Sequence, residues 1–146
     1  MKILVAVDLS ESTAKIVEKA EELAIALSAK LWLLHVAEPE PDFVGYDVGP
    51  QSVRDTLSQT FHEEHRQIQE IAERMRDNGI DATALLVQGA TVETVMQEAS
   101  RLGVDMLVIG THGRGAMYQL LMGSVTKGVL HAADCPVLVV QTHNRE

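Results

Sequence analysis

Short runs of apolar residues recur along the chain, separated by longer segments in which polar and apolar positions mix. Four clear runs span residues 3–7, 31–36, 106–109 and 137–140, and a weaker one spans residues 82–87. The runs are continuous rather than alternating, which is typical of strands that are buried on both faces of a sheet. The pattern therefore predicts five buried strands.

The segments between these runs carry apolar stripes with helical spacing. The predicted helices span residues 12–29, 53–77, 92–102 and 124–133. Ser10 is the candidate N-cap of the first helix, whereas Gly79 and Gly103 end the second and the third. Pro136 lies just beyond the fourth helix and restricts the chain before it to extended conformations.

Predicted strands and helices alternate from one end of the chain to the other. Strict alternation predicts an α/β fold with a doubly wound, five-stranded parallel sheet, helices on both faces and right-handed crossovers. Ligands of such sheets bind beyond the carboxyl ends of the strands, where the strand order reverses. The residues of interest are therefore those that follow strands, namely Asp8, Ala37, Gln88 and Gly110.

Length, charge and cysteine content narrow the class of protein. The 146 residues suit one domain, spanning 1–146. The single cysteine, Cys135, allows no internal disulfide, favours a reducing compartment and is interpreted as a small buried hydrophobe. The formal net charge of −9 repels nucleic acid and anionic lipid. The first apolar run is too short for a signal peptide or a membrane span. We expect a cytoplasmic protein that neither binds nucleic acid nor inserts into a membrane.

Acidic residues are unevenly distributed. The chain holds 21 of them, yet none lies between Asp105 and Asp134, a segment that includes Arg114 and Lys127. Carboxylates repel an anion, so a stretch without them in an acidic protein is what an anion site requires.

The same segment carries closely spaced glycines. Gly110-Thr111-His112-Gly113 follows the fourth strand, and Gly123-Ser124-Val125-Thr126 opens the last helix. Glycine lets the backbone approach a phosphate and adopt positive φ, and the first amides of a helix lie unpaired at its positive end. Ser124 is either the N-cap or, like Thr126, a phosphate ligand. The pattern predicts a phosphate-binding cradle over residues 110–124.

Two common nucleotide motifs are absent from the sequence. It contains no G-x-x-x-x-G-K-[ST], which excludes a P-loop NTPase. No G-x-G-x-x-G follows the first strand, which disfavours a dinucleotide site.

Across nearly its whole length the sequence resembles the universal stress protein family. ATP-binding members of that family carry G-x-x-G, nine residues, then G-[ST], and this chain has Gly110-x-x-Gly113, nine residues, then Gly123-Ser124. Residues 1–8, 34–36 and 136–140 resemble the family's first, second and closing strands. The resemblance implies a Rossmann-like, adenine nucleotide alpha hydrolase-like fold with strand order 3-2-1-4-5.

The resemblance also implies a role for individual positions. Asp8 would contact the nucleoside, and Val36 would offer backbone groups to the adenine edge. Ile109 and Gly110 would flank the ribose. The residues implied to continue towards the phosphates are Thr111, His112 and Gly113. Those implied to bind phosphate through amides and hydroxyls are Gly123, Ser124, Val125 and Thr126.

The ligand implied by the resemblance is ATP or AMP, with Mg²⁺ able to join through the phosphates. The family tends to form homodimers through its closing strand, here Val137–Val140, which would otherwise be an exposed apolar edge. A proline often precedes the acidic residue of the family's first strand. Here Ala6 and Val7 occupy those positions, a departure at the nucleoside end of the site.

Several candidate residues have simpler interpretations. Asp8 could cap a helix, and as a phospho-acceptor it would lack the additional acids and the lysine that such a site needs. His112 either touches the nucleotide or only forms part of the turn. Arg114 and Lys127 either neutralise phosphate or are solvated cations.

Other residues are interpreted as structural. His62 and His65, with acids beside them, are read as a solvated helix face rather than a weak metal site, so no metal is predicted. His35 is read as a buried strand residue rather than a ligand. Residues 37–52, rich in proline and glycine, form either a mobile acidic loop near the site or a solvated linker.

The acid-free segment also bears on catalysis. Hydrolysis of ATP needs a base or metal ligand near the γ-phosphate, and residues 106–133 contain no carboxylate. We therefore predict an ATP-binding regulatory protein of the stress response, whose nucleotide state is read by an unknown protein partner, and we assign no catalytic residue. The alternatives are a slow Mg²⁺-dependent ATPase and a structural dimerisation module.

Overall fold

The computed structural model describes residues 1–37, 51–111 and 123–142, with the backbone alone for residues 51–58. Strands and helices alternate along these residues. In chain order they are β1 (Lys2–Val7), α1 (Thr13–Leu27), β2 (Lys30–Ala37), α2 (Gln51–Asp77), β3 (Asp81–Gln88), α3 (Thr91–Leu102), β4 (Met106–Gly110), α4 (Ser124–Ala132) and β5 (Val137–Val140). All five predicted strands are therefore confirmed, including the weaker one at β3.

The five strands form one parallel sheet in the order β3-β2-β1-β4-β5, as expected. Val7, the last residue of β1, pairs with His35 of β2, and Val5 pairs with Val108 of β4. The chain builds outward from β1 in one direction and then, from β4, in the other. The order reverses between β1 and β4, so the carboxyl ends of these two strands border the crevice where such sheets bind ligands.

Two apolar layers cover the sheet, one on each face. Alternate strand residues such as Ile3 and Val5 pack with the stripe of α1 and α2, whereas Leu4 and its counterparts pack with α3 and α4. Because consecutive strand residues point to opposite faces and both faces are covered, each strand must be apolar throughout. This explains the continuous apolar runs in the sequence.

The predicted helix ends are correct at α2 and α3 and wrong at the start of α1. Gly79 and Gly103 follow their helices with φ of 86° and 64°, a left-handed conformation that glycine adopts without strain. The N-cap of α1 is Ser12 rather than Ser10. Ser10 instead belongs to the preceding turn, where its hydroxyl oxygen accepts a hydrogen bond from the Ser12 amide at 3.3 Å.

Leu9, in the turn between β1 and α1, has a φ of 61°. A side chain in this left-handed region costs about 1–2 kcal/mol, and Leu9 offsets that cost by packing against the α1 and α2 side of the core. We expect Leu9→Gly to be more stable than Leu9→Ala by about 1 kcal/mol, because both lose the packing and only glycine relieves the strain. Urea unfolding of the two variants measures the difference. An alanine variant at least as stable as the glycine variant would contradict it.

Two further expectations, the loop before α2 and the absence of a membrane span, can be compared only with the residues that the structure describes. Most of the proposed loop at residues 37–52 lies outside them, so its mobility and its distance from the site stay predictions. Among the residues that are described, no helix is both long enough and apolar enough to cross a membrane.

Candidate functional site

Two hydrogen bonds bring the carboxyl end of β4 and the start of α4 together. The Gly123 amide donates to the Thr111 carbonyl oxygen at 2.9 Å, and the Thr126 hydroxyl donates to the Gly110 carbonyl oxygen at 2.6 Å. The two glycine-containing stretches that the sequence separates therefore meet in space. They meet beside the crevice between β1 and β4.

Thr111 joins this corner to the edge of the sheet. Its amide donates to the Val140 carbonyl oxygen at 2.9 Å, and its hydroxyl oxygen accepts from the Thr142 amide at 3.1 Å. The two threonine hydroxyls also lie 3.0 Å apart. Thr111 is buried, so its side chain holds β4 to the end of β5.

Within the described ranges, three backbone donors in the first turn of α4 have no hydrogen-bond partner. The first bond within the helix runs from the Lys127 amide to the Gly123 carbonyl oxygen at 3.1 Å. The amides of Ser124, Val125 and Thr126 precede it, have no partner in the helix and have none among the other described residues. The side chains of Ser124 and Val125 are exposed, so the turn faces solvent. Amides in this position, at the positive end of a helix dipole, are suited to bind an anion.

The capping residue of α4 is Gly123 rather than Ser124. Gly123 has an extended backbone, with φ of −62° and ψ of 159°, and Ser124 is the first residue of the helix itself. The Ser124 hydroxyl is therefore not used as a cap, which leaves it available to a ligand.

Thr126 has a different position from that of Ser124. Its side chain is buried, and its hydroxyl donates to the Gly110 carbonyl oxygen. The same hydroxyl lies 3.3 Å from the Thr111 carbonyl oxygen. A hydroxyl has one proton to donate, so in this arrangement Thr126 offers an anion its amide but not its hydroxyl. The side chain instead fixes α4 against β4.

The glycines of the segment act differently from the sequence interpretation. Neither Gly110 nor Gly123 has a positive φ, so that part of the prediction is wrong for both. Gly110 is instead enclosed, because a Cβ atom there would lie 2.8 Å from Cδ1 of Ile16 and 2.9 Å from Cγ2 of Thr142. Its lack of a side chain lets α1 and the end of β5 pack against β4.

Asp8 lies directly after β1, at the other side of the crevice. One carboxylate oxygen accepts a hydrogen bond from the Ser10 amide at 2.9 Å, which closes the turn that leads to α1. Asp8 does not cap α1, since that helix begins five residues later at Thr13. It is half-buried, so the carboxylate is held in place at the strand end.

The other predicted site residues divide into three groups. Val36 and Ile109 are buried in the layer that faces α3 and α4, so only their backbone groups could meet a ligand. Lys127 is exposed on α4. The residues that lie outside the described part of the chain are His112, Gly113 and Arg114.

One buried polar pair was not predicted. The His35 ring on β2 contacts the Val7 carbonyl oxygen through Nδ1 at 3.0 Å and the Glu64 carboxylate of α2 through Nε2. His35 is buried, as expected, whereas Glu64, one of the acids beside His62 and His65, does not belong to the solvated helix face that the sequence predicts. The sequence of α2 does indicate that Glu64 faces the core. The apolar stripe has a gap between Phe61 and Ile68, and Glu64 occupies that gap at helical spacing.

The rest of that helix face is solvated, as interpreted. The exposed Arg66 binds Glu63 and, at 2.7 Å, Glu70, and the ion pair lowers the pKa of the Glu63 carboxyl. In the described ranges, no three metal-binding side chains are close enough together to hold an ion.

Cys135 packs beside the α3 and α4 layer of the core and is half-buried. Burial raises the pKa of its thiol, and the carboxylates of Asp134 and Asp105 raise it further. Since the thiolate is the reactive form, this environment suits a packing residue rather than a nucleophile.

Comparison with known proteins places this arrangement in a family. The model of the universal stress protein family matches residues 1–141. Universal stress protein A homolog 2 of Coxiella burnetii is 34% identical over 142 residues, covering 96% of this chain and 94% of that protein. The solved structure of MJ0577, from Methanocaldococcus jannaschii, superimposes with a TM-score of 0.80 at 28% identity, covering 99% of this chain and 97% of the other.

Two more distant structures share the fold and were solved with nucleotides. A universal stress protein in complex with cAMP has a TM-score of 0.72 at 24% identity, covering 98% of each chain. The universal stress protein of Archaeoglobus fulgidus in complex with dAMP has a TM-score of 0.67 at 17% identity, covering 96% of this chain and 97% of the other. On the family match and the close relative together, this chain belongs to the universal stress protein family.

Proposed function

We propose that this protein binds an adenine nucleotide, ATP or AMP, and that its bound state is read by a protein partner. The observation that carries the proposal is the start of α4, beside the end of β4, where the amides of Ser124, Val125 and Thr126 have no partner in the part of the chain that the structure describes. The absence of acidic residues between Asp105 and Asp134 supports an anion at this position. The cAMP and dAMP complexes of proteins with the same fold support an adenine nucleotide as that anion.

The nucleotide is proposed to lie across the crevice from β1 to α4. Asp8 holds the nucleoside, the backbone of Val36 meets the adenine edge, and the backbone of Ile109 and Gly110 flanks the ribose. The proposed phosphate-binding residues are Thr111, His112, Gly113, Gly123, Ser124, Val125 and Thr126, with Arg114 and Lys127 adding positive charge. Thr126 contributes its amide and, through its hydroxyl, the position of the helix. Mg²⁺, where present, binds through the phosphates.

Regulation rather than catalysis is proposed because the sequence segment that is predicted to bind the phosphates contains no acidic residue. Residues 106–133 contain no carboxylate that could activate water, and Asp8 is proposed to lie at the nucleoside end. If the protein is instead a slow ATPase, phosphate release disappears in the double variant Gly113→Ala, Ser124→Ala. Release that is unchanged in this variant comes from a contaminant.

We further propose that the whole chain, 1–146, acts as one domain in the cytoplasm and forms a homodimer through β5. Val137–Val140 is the edge of the sheet next to β4, and its four residues are all half-buried. Val125 and Leu130 of α4 are exposed apolar residues. A second copy that pairs with this edge would cover it and remove an aggregation hazard. Sedimentation velocity measures the association.

The direct test of nucleotide binding is the identity of any co-purified ligand. We expect protein that is heated and precipitated after purification to release an adenine nucleotide into the supernatant. A separate sample of folded protein should gain thermal stability when ATP is added, because a ligand that binds only the folded state stabilises it. Chromatography of the supernatant and differential scanning fluorimetry measure the two effects. An empty supernatant together with no thermal shift would disprove the proposal.

A further inference from the structure

A buried hydrogen-bonded chain joins α2 to the turn that carries Asp8. It runs from the Glu64 carboxylate through the His35 ring to the Val7 carbonyl oxygen. The His35 side chain is 6% exposed and the Glu64 side chain 20%. Three elements, α2, β2 and β1, therefore meet at one imidazole.

The chemistry of the two contacts fixes the position of one proton on the His35 ring. A carbonyl oxygen only accepts, so Nδ1 of His35 must carry a proton to make its 3.0 Å contact with Val7. The contact between Nε2 and the Glu64 carboxylate then needs one further proton, on either group. Were His35 neutral with its proton on Nε2, the Nδ1 lone pair would face the Val7 carbonyl oxygen and repel it. Glu64, bound to Nε2 on the opposite side of the ring, holds the imidazole in the orientation that directs Nδ1 towards Val7.

The Val7 carbonyl lies in the same peptide plane as the Asp8 amide. Fixing that carbonyl fixes the plane from which the Asp8 side chain projects, and the Ser10 amide holds the carboxylate itself at 2.9 Å. Val7 is the last residue of β1 and pairs with His35 of β2, whereas the pairing of β1 with β4 ends at Val5. The His35 ring thus supplies a restraint at the point where Asp8 leaves the sheet.

We propose that His35 and Glu64 are positioning residues for the nucleoside end of the site, acting through Val7 on Asp8. The proposal rests on the proposed nucleotide-binding function and adds two residues that would not touch the ligand. Under this proposal, the affinity for the nucleoside depends on the position of α2, which carries Glu64. Because the phosphates lie at α4, the effect is confined to one end of the ligand.

The test compares ATP with adenosine by isothermal titration calorimetry on the full chain at 25 °C. We expect Glu64→Leu to weaken both ligands by the same factor, about threefold to thirtyfold, since both contain the nucleoside. We expect Glu64→Gln to bind nearly as the wild type does, because an amide can donate to Nε2 and leave the proton on Nδ1. The matched control is Glu63→Leu, which removes an exposed carboxylate from the same helix and should not change either affinity.

A double-mutant cycle with Asp8→Ala separates positioning from general stability. If the pair acts through Asp8, Glu64→Leu causes no further loss of adenosine affinity in the Asp8→Ala background. A full additional loss there, or unchanged affinities in Glu64→Leu alone, would overturn the proposal. If the wild type binds neither ligand, the proposed function fails as well, whereas a wild type that binds and a Glu64→Leu variant that binds equally well disprove only the positioning role.

A second measurement needs no variant and covers the case in which Glu64→Leu does not fold. The ¹⁵N chemical shifts of the His35 ring should change when adenosine saturates the wild type and should not change with tripolyphosphate, which lacks the nucleoside. Ring shifts that do not respond to adenosine would count against the proposal.

Discussion

Replacing Ser124 by proline is expected to weaken ATP binding by about 10-fold to 150-fold while the protein stays folded. Ser124 is the first residue of α4, where proline is favoured because the missing amide has no helical partner. Gly123 before it has the extended backbone that a following proline requires. The substitution therefore removes a phosphate donor with little strain, and a hydrogen bond to a charged group contributes about 1.5–3 kcal/mol.

Two comparisons make this result specific. Ser124→Ala removes the hydroxyl and keeps the amide, so its loss of ATP affinity should be smaller than that of Ser124→Pro. Adenosine has no phosphate and should bind both variants as it binds the wild type. Calorimetric titration gives all of these affinities, and the melting temperature confirms folding. A folded Ser124→Pro variant with the ATP affinity of the wild type would show that the start of α4 does not hold the phosphates.

Gly110→Ala is expected to destabilise the protein by about 1–3 kcal/mol, the usual cost of inserting a methyl group into a packed site. The new Cβ would lie 2.8 Å from Cδ1 of Ile16 and 2.9 Å from Cγ2 of Thr142. Ile16 is 3% exposed, so its side chain has little room to move away. Urea unfolding at neutral pH measures the difference in the free energy of unfolding.

The cause can be checked by shortening the neighbour. Ile16→Val removes the Cδ1 atom, and in that background Gly110→Ala should cost less than it does in the wild type, since the closest contact is gone. Strictly additive losses in the two single variants and the double variant would refute steric contact as the cause. They would point to the backbone of β4 instead.

The sheet could be predicted from the sequence because each strand is specified by a short run of neighbouring residues. Each apolar run is as long as a strand and is buried on both faces, so the pattern of residues 3–7 or 106–109 leaves little choice of structure. Alternation with helices then restricts the topology to a parallel sheet. The turn after β1 could not be predicted in the same way, because the side chains of Asp8 and Ser10 and the left-handed Leu9 move the start of α1 to Thr13.

The sequence predicted which two segments meet in the candidate site, but not what each of their residues contacts. The spacing of Gly110 and Gly123 located the corner between β4 and α4. It did not show that Gly110 makes room for Ile16 and Thr142, since those contacts join residues that are far apart in the chain. Nor could the sequence pair Glu64 with His35, because that contact requires α2 to lie on one particular face of β2.

The bonds that tie Thr111 to Gly123 and Gly110 to Thr126 have a consequence for the length of the chain between them. Because these bonds join the residues on either side of 112–122, folding closes a loop over this segment, and the entropy of closing it depends on its length. Closure entropy grows slowly, by about 0.6 kcal/mol for each doubling of length. A longer connection after Arg114 should therefore change the free energy of unfolding little, whereas a change at His112, Gly113 or Arg114 would alter residues that are proposed to bind phosphate.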